Sequence, residues 1–464
     1  MLDYDRPRAL AVQALQQVTE TGAFANEVLN RLFDQSDLKE LDRNFTSALV
    51  YGVLDYLPYL DHVISCHSHY GLDRIDSCIL NILRLGVWQI EFSDQIPNSA
   101  AVNEAVKLTG YFGRARLSSF VNAVLRNAIR HPVQLKNKQV NLKYGMTPEL
   151  YGLYRKWFGE KEGQAILTSY LKKRDSYSLL FLGKAEDEAR WLERVLDKGF
   201  KLEPGYLLEG AYRISGLTRL EDLPGFREGL IYIQDESSML VAETLRISKA
   251  RTLLDACAGQ GGKTIAFLSR KTNLKITCLE PNLNRYQGFI ENFNRLGLEK
   301  IQHPPEIYRL DLKNYAKKAK KNNLKFDQVL LDVPCSGLGV LSHKPEIKQG
   351  LSYNKLQEFP TLQLSLLEEA GDLVSEKGYL VYSTCTLNPD ENQGVIKTFL
   401  AGQQGREFST VDVNPLIDRI KSPYKLSVQE GINQYGLTLR PDKLPVDGFF
   451  IACLQKQGGR LEDA

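Results

Sequence analysis

Apolar residues recur every three or four positions along the first third of the chain. This spacing is typical of amphipathic helices and predicts helices at residues 9–18, 25–33, 43–56 and 77–92. The alternation of apolar and polar residues expected of strands is scarce there. We therefore predict an all-α domain over residues 1–135.

The last half of the chain alternates strand and helix patterns. Apolar runs at 252–255, 275–280, 326–332 and 378–384 predict strands, and the first three are followed or separated by helical segments such as 264–270 and 284–296. Such alternation favours a doubly wound α/β domain with a parallel sheet, which we place at 231–456. Ligands of these sheets bind at the carboxyl ends of the strands.

The middle of the chain has a weaker pattern. Residues 137–145 are polar and basic and are expected to form a linker, whereas 146–230 mix helices with short strands and predict a small α+β domain. Turn residues at 200–205 and 224–226 divide this domain.

Composition narrows the class of protein. The hydrophobic share of 43% and the charged share of 25% are those of a globular chain, which excludes disordered and fibrous proteins. No apolar run approaches the roughly 18 residues of a membrane span, and the charged start lacks an apolar signal segment, so we expect a cytoplasmic protein that binds no membrane. Seven cysteines, an odd number thinly spread, do not form a disulfide framework.

The net charge of +3 hides a local asymmetry. Residues 105–148 contain no acid, and Arg126 and Arg130 lie opposite the apolar face of a helix there. This basic face either binds nucleic-acid phosphates or is merely solvated, or neutralised by acids earlier in the chain. The candidate RNA contacts are Arg114, Arg116, Arg126 and Arg130. A second basic run, at 313–325, is expected to be an exposed, solvated helix.

A glycine-rich turn follows the strand at 252–255. Glycines let the backbone approach a ligand closely, and the next helix offers unpaired N–H groups. A nucleotide-binding P-loop needs glycine where Cys257 stands. A nucleoside cofactor without a triphosphate needs an acid at the end of the next strand, and Glu280 is there. We therefore favour the nucleoside cofactor.

Two cysteines follow two other strands. Cys335 lies in D-V-P-C-S-G and Cys385 in S-T-C-T, both at the expected ligand edge. A thiolate at either position is a candidate nucleophile, and Asp332 could exchange a proton nearby. The residues alone do not choose between the two cysteines.

A metal site is the other use of such residues. Zinc needs paired cysteines or nearby histidines, which both turns lack. His62, Cys66, His67 and His69 cluster in sequence, but adjacent positions on a helix diverge. We expect no metal.

These motifs together resemble the RNA (cytosine-5)-methyltransferases that use S-adenosylmethionine. The family's cofactor loop D-x-C-A-A-P-G-G-K-[ST] is similar to residues 255–264, and its two cysteine motifs and closing strand are similar to residues 332–337, 383–392 and 447–452. Residues 103–106 and 120–126 resemble the helical NusB-like RNA-binding domain. That domain points to the branch that modifies small-subunit ribosomal RNA.

The resemblance implies a Rossmann-like class I methyltransferase domain and a covalent mechanism. It assigns attack on carbon 6 of cytosine to Cys385, product release to Cys335 and a hold on the base at N3 to Asp332. The implied contacts to S-adenosylmethionine are Cys257, Ala258, Gly259, Gln260, Gly261, Gly262, Lys263, Glu280, Arg285, Asp311 and Asp332. The product would be S-adenosylhomocysteine.

The implied substrate is a cytosine of 16S ribosomal RNA, before the subunit is fully assembled, and we expect a monomer. Another RNA, a P-loop-like NTPase and a non-catalytic RNA-binding factor are the alternatives. Gly259 and Gln260 replace the family's Ala-Pro, so we expect a more flexible loop and weaker cofactor binding. At 342–344, Ser-His-Lys stands where the family often has two arginines.

Overall fold

The computed structural model describes residues 5–172, 176–217, 219–244, 250–268 and 274–458. The chain forms two compact units: Met1–Lys172 with Leu341–Tyr353, and Lys173–Val340 with Asn354–Ala464. Within the described ranges, no helix combines the length and the apolar character needed to cross a bilayer.

The first unit is helical, as the apolar spacing predicts. Its described residues form α1 (Arg6–Thr21), α2 (Ala25–Asp34), α3 (Glu40–His67), α4 (Ser77–Phe92), α5 (Asn98–Tyr111), α6 (Ser118–Arg130) and α7 (Pro148–Leu171). Helix α1 begins where the Asp5 carboxylate accepts the Arg8 N–H, and it ends at Gly22 with a left-handed backbone. The apolar faces of α1, α3, α4 and α6 share one core that includes Leu15, Leu49 and Leu125.

The expected linker is part of this packed unit, so that expectation is wrong. Residues Asn137–Tyr144 form a 3₁₀ helix, in which Asn141 and Leu142 are buried. The Asn141 amide donates to the Met146 carbonyl at 2.7 Å. Gly145 has φ +58°, and a Cβ there would lie 1.7 Å from the Asp55 carbonyl oxygen. The polar composition concealed a segment that is held by backbone contacts to α3.

A late segment of the chain, Leu341–Tyr353, also belongs to the helical unit. The Glu346 carboxylate accepts the Ala25 N–H at 3.0 Å, and the Lys348 ammonium donates to the Asp55 carbonyl at 2.8 Å. Both side chains are buried. Burial lowers the pKa of Lys348 to about 8, because the charged form is desolvated.

The second unit begins with a small antiparallel sheet in the order β2-β3-β1-β4. Its strands are β1 (Ser176–Phe181), β2 (Lys201–Pro204), β3 (Ala211–Ser215) and β4 (Ile231–Ile233), with α8 (Ala185–Asp197) packed on one face. Trp191 of α8 is buried in that face, and its indole N–H donates to the Pro224 carbonyl at 2.7 Å. Residues 201–204, expected as a turn, pair with β3 as an edge strand.

The larger sheet of this unit has the order β11-β12-β13-β9-β8-β5-β6-β7, with β10 paired to β13. Strands β5 to β9 are parallel, whereas β13 runs antiparallel to β9. The strands are β5 (Thr252–Asp255), β6 (Lys275–Leu279), β7 (Glu306–Tyr308), β8 (Phe326–Asp332), β9 (Val374–Thr384), β10 (Phe408–Thr410), β11 (Ile432–Asn433), β12 (Gly436–Leu439) and β13 (Phe449–Lys456). The helices are α9 (Glu236–Thr244), α10 (Gly262–Leu268), α11 (Leu283–Arg295), α12 (Leu312–Lys321), α13 (Tyr353–Gly371), α14 (Gln393–Ala401) and α15 (Lys425–Gln429).

The strand predictions that matter for the site are confirmed. Strands β5 and β8 have the predicted bounds, β6 ends one residue early, and β9 starts earlier than expected. Helix α10 is described to Leu268, so the last two residues of the predicted helix 264–270 lie outside the described residues. Because β5, β6, β8 and β9 are mutually parallel, their carboxyl ends meet at one edge of the sheet.

The buried lysine makes a prediction about stability. With a folded pKa of about 8 and an ordinary value of 10.5, the charged form of Lys348 is costly in the fold, so its contribution to stability rises as the pH increases from 8 to 10.5. In Lys348→Met this gain is absent. We expect the stability of the variant relative to the wild type to fall by about 2–3 kcal/mol between pH 8 and 10, since one pKa unit corresponds to about 1.4 kcal/mol.

Thermal unfolding followed by circular dichroism across this pH range measures the difference. Lys143→Met, at an exposed position of the same unit, is the matched control and should show a constant difference. A parallel pH profile for Lys348→Met and Lys143→Met would contradict the prediction.

Candidate active site

The glycine-rich turn after β5 is held by backbone hydrogen bonds at the carboxyl edge of the sheet. The Ala258 N–H donates to the Leu279 carbonyl, and the Gly261 N–H donates to the Ala258 carbonyl, both at 2.9 Å. Gly261 has φ +84°, and a Cβ there would lie 2.2 Å from the Phe289 ring. Glycine is therefore required at 261 both by the backbone conformation and by the contact with α11.

Gly259 and Gln260 stand where the related family has Ala-Pro, and the structure shows the backbone and contacts of both residues. Gly259 adopts φ +58°, a left-handed conformation that residues other than glycine rarely adopt. Among the described residues, no atom outside its chain neighbours lies within 4 Å of the position that a Cβ would take there. The Gln260 side chain packs against Gly288 of α11. Gly259 thus takes up a left-handed backbone without strain, and Gln260 is in contact with α11.

A cavity of about 180 Å³ opens beside this turn. It brings together most of the loop residues that the sequence singled out, and it adds three that the site prediction missed, Gln234, Ser238 and Asp255. Its lining residues are Gln234, Ser238, Asp255, Cys257, Ala258, Gly259, Gln260, Gly262, Lys263 and Asp332. Gln234 and Ser238 come from the start of the unit's α9 region, which carries no motif that could have identified them.

Carboxylates dominate the electrostatics of the cavity. Asp255 is buried, and its pKa is raised to about 6 by desolvation. Its Oδ2 accepts from the Thr264 hydroxyl at 2.6 Å, and its buried Oδ1 has no hydrogen-bond partner among the described residues. Burial, together with the charges of Asp255, Asp332 and Glu280, raises the pKa of the Cys257 thiol, so this cysteine stays neutral.

Asp332, at the end of β8, connects the cavity with the neighbouring strand β9. Its Oδ2 forms an ion pair with Lys263 of the loop, and its Oδ1 accepts from the Ser383 hydroxyl at 2.8 Å. Asp332 and Ser383 are register partners in the parallel pair β8–β9. The cavity and the carboxyl end of β9 therefore share one carboxylate.

The remaining predicted cofactor residues lie outside the lining of this cavity. Glu280 is buried at the end of β6, where its Oε1 accepts the Asn282 N–H at 2.7 Å. Arg285 opposes the effect of the carboxylates on Cys257. Asp311 caps α12, accepting the Asn314 N–H at 2.8 Å, and these hydrogen bonds lower its pKa. Their roles toward a cofactor stay predictions.

The two motif cysteines are in contact. The sulfur atoms of Cys335 and Cys385 are 3.3 Å apart, and neither is in a disulfide. The contact with Cys385 and burial raise the pKa of Cys335 well above its usual range, with the Glu391 charge adding to the effect. The Cys335 thiol is therefore held in its neutral form by its surroundings.

The turns that carry the cysteines are tied to each other. The Gly339 N–H donates to the Cys385 carbonyl at 2.9 Å, and the hydroxyls of Ser336 and Thr386 are 2.8 Å apart. Two buried residues complete this network: Gln363 of α13, which no sequence motif marked, and Glu391, which the sequence offered only as a motif position.

The predicted RNA contacts lie in the helical unit. Arg126 and Arg130 are exposed on α6, and Arg116 is exposed just before it. Arg114 forms an ion pair at 2.9 Å with Asp76, which is the N-cap residue of α4. Arg114 is therefore partly neutralised by an acid earlier in the chain, whereas Arg126 donates to the neutral Asn122 amide oxygen at 2.8 Å.

The histidine and cysteine cluster does not assemble as a metal site. His62 and Cys66 approach to 3.8 Å on α3. Within the ranges that the structure describes, no three of His62, Cys66, His67 and His69 bring their ligand atoms together.

Two family profiles match this chain, one over the helical first part and one over the α/β domain. The family profile "16S rRNA methyltransferase RsmB/F" matches residues 242–455, and the "NusB family" profile matches residues 5–130. The crystal structure of PH0851 has the same fold, with a TM-score of 0.81 and 21% identity, over 98% of this chain and 100% of that one. The structure of NSun6 from Pyrococcus horikoshii with SFG superposes over 68% of this chain and 99% of that one, with a TM-score of 0.55 and 20% identity.

Two curated relatives align over nearly the whole chain. The probable ribosomal RNA small subunit methyltransferase B of Bacillus subtilis is 31% identical, over 97% of this chain and 99% of the relative. The corresponding protein of Synechocystis is 30% identical over the same shares. A helical NusB-like domain, a Rossmann-like sheet with the motif residues at its carboxyl edge and this full-length identity show that the chain belongs to the RsmB family of S-adenosylmethionine-dependent ribosomal RNA small subunit methyltransferases.

Proposed function

We propose that this protein methylates carbon 5 of a cytosine in 16S ribosomal RNA through a covalent adduct of Cys385. The observation that carries the proposal is the pair of sulfur atoms 3.3 Å apart, at the sheet edge that also holds the cavity. Asp332 connects the two, through Lys263 on one side and Ser383 on the other.

The cavity suits S-adenosylmethionine by its charge. That cofactor supplies a methyl group on a positively charged sulfonium and also carries an ammonium group. Asp255 and Asp332 line the cavity, and the buried Asp255 Oδ1 lacks a hydrogen-bond donor among the described residues. An ammonium would meet that need, and a buried carboxylate favours a cation. Glu280 would hold the ribose hydroxyls from the end of β6.

The thiols suit the chemistry of cytosine. Carbon 5 is a poor nucleophile until a thiolate adds to carbon 6, which moves electron density onto carbon 5. In the proposal the Cys385 sulfur forms this bond, while Asp332 holds the base at N3. After methylation the carbon-5 proton leaves, the carbon 5–carbon 6 double bond re-forms, and the sulfur departs with the electrons of its bond. Cys335 assists this release.

The target base must leave its stack to reach the sheet edge, so the substrate is an accessible RNA segment. We infer that the helical unit binds RNA through the exposed arginines of α6, before the small subunit is fully assembled. A monomer working in the cytoplasm, where ribosomal RNA is made, fits this role. A cytosine in another RNA is the alternative substrate, and bisulfite sequencing of ribosomal RNA with and without the gene distinguishes the two.

Glu280→Ala should weaken binding of S-adenosylmethionine. A carboxylate that accepts charge-assisted or ribose hydrogen bonds is worth about 1.5–3 kcal/mol, so we expect the Kd to rise roughly tenfold or more. Isothermal titration calorimetry measures this change. Glu299→Ala, an exposed acid beyond α11, is the matched control. An unchanged Kd in folded Glu280→Ala would remove this residue from the cofactor site.

Replacing Arg126 and Arg130 together by Glu should weaken RNA binding and leave cofactor binding intact. Fewer counterions would be released, so the dependence of log K on log salt should also flatten. Filter binding at several salt concentrations tests both effects. Lys318 and Lys321, exposed on the basic helix α12, give the control pair of charge reversals, for which we expect little change. Equal effects of the two pairs would assign α6 a merely solvated face.

The two cysteines should have separable roles. Cys385→Ser should abolish methyl transfer, because a hydroxyl is a far weaker nucleophile than a thiolate. Cys335→Ser should still attack but stall at release, so that a protein–RNA adduct survives denaturing electrophoresis. Labelled cofactor and one gel for each variant measure both outcomes.

Cys66→Ser, at an exposed position of the helical unit, is the control and should remain active. An adduct that accumulates with Cys385→Ser instead of Cys335→Ser would reverse the assignment. Full activity of both motif variants would refute covalent catalysis by these residues.

A further inference from the structure

Glu391 is a fully buried carboxylate beside the cysteine pair. Three hydrogen-bond donors point at it: the Ser336 backbone N–H at 2.9 Å, the Gln363 amide at 3.0 Å and the Asn388 amide at 3.0 Å. A protonated carboxyl group would have to give up one acceptor position to its own proton. The three donors therefore favour the ionised form, against the burial that raises the pKa of Glu391.

These hydrogen bonds fix both sides of Cys335. Glu391 holds the N–H of Ser336, the next residue in the chain, and the Gln363 amide that bonds Glu391 also donates to the carbonyl of Pro334 at 3.0 Å. The peptide groups before and after the Cys335 side chain are thus bound to one carboxylate–amide pair. Glu391, Gln363 and Ser336 are not part of the lining of the cavity beside β5.

The same residue is anchored to the strand that carries Cys385. The Tyr382 hydroxyl donates to the Glu391 carbonyl at 2.6 Å, and the Asn392 amide donates to the Thr386 carbonyl at 2.9 Å. The turn after β8 and the turn after β9 are therefore joined through residues 391 and 392. A shift of the Glu391 carboxylate would change the spacing of the two sulfur atoms.

We propose that Glu391 is a positioning residue for the release step, which, with Gln363, sets the Cys335 sulfur against Cys385. This inference rests on the proposed covalent function. The negative charge of Glu391 has a second effect, because a buried anion close to a thiol opposes ionisation of that thiol. The titratable groups that face Cys335 are Cys385, Glu391 and Tyr382. Among these, Glu391 supplies the carboxylate charge.

The test separates the charge from the shape. Glu391→Gln keeps the size of the side chain and removes the charge. We expect the pH midpoint for alkylation of Cys335 by iodoacetamide, read by peptide mass spectrometry, to move down by about one unit, so that Cys335 reacts roughly tenfold faster below the midpoint. A merely structural role would change the plateau rate and leave the midpoint in place. Asp390→Asn, an exposed acid one residue away, is the matched control.

Methyl transfer gives the second readout. Glu391→Gln should lower kcat at an unchanged KM for S-adenosylmethionine and accumulate the same adduct as Cys335→Ser, whereas Glu391→Asp, which keeps the charge, should retain the wild-type alkylation midpoint. If Glu391→Gln does not fold, Gln363→Met, which removes the shared amide, should slow release and accumulate the adduct.

An unshifted alkylation midpoint in folded Glu391→Gln, or normal release in Gln363→Met, would overturn the inference. A shifted midpoint, with no RNA adduct in any variant including Cys335→Ser, would instead refute the covalent function and leave the effect of Glu391 on Cys335 standing. The alkylation assay needs no RNA, so the two failures are distinguishable.

Discussion

The parallel pairing of β8 with β9 is the constraint on which the site depends. It makes Asp332 and Ser383 register partners, and the turns that follow then place two sulfur atoms in contact although 50 residues separate them along the chain. A one-residue slip in a strand would point every side chain to the other face. The cavity beside β5 depends on the same strand, because β8 also pairs with β5 and supplies Asp332 to the cavity lining.

The site has two electrostatic parts, and both of them include the Asp332 carboxylate. On the cavity side, buried Asp255 and half-buried Asp332, which pairs with Lys263, favour a positively charged ligand and keep the Cys257 thiol neutral. On the cysteine side, Glu391 is satisfied by neutral donors, and its charge acts on Cys335. Buried charges of this kind are costly unless hydrogen bonds satisfy them, and here both sets are bonded to the turns that bear the reactive residues.

The helical unit contains a segment that begins six residues after Cys335. Leu341–Tyr353 is held there by buried Glu346 and Lys348, each bonded to the backbone of the early helices. The polypeptide that carries a motif cysteine is thus covalently continuous with a segment packed in the RNA-binding-type domain. In this respect the departure at 342–344, Ser-His-Lys in place of two arginines, belongs to the helical unit and not to the sheet edge.

The sequence by itself determined the helical first unit, the bounds of β5 and β8, and the motifs that carry the family likeness, because periodicity and turn residues are local properties. It also indicated Cys335, Cys385 and the glycine-rich loop as candidates. Only the tertiary structure decided that the 137–144 segment is packed rather than a linker and that Arg114 pairs with Asp76. Gln363, Gln234 and Ser238 were out of reach of the sequence, since each acts through contacts with residues distant along the chain, and such contacts leave no local pattern.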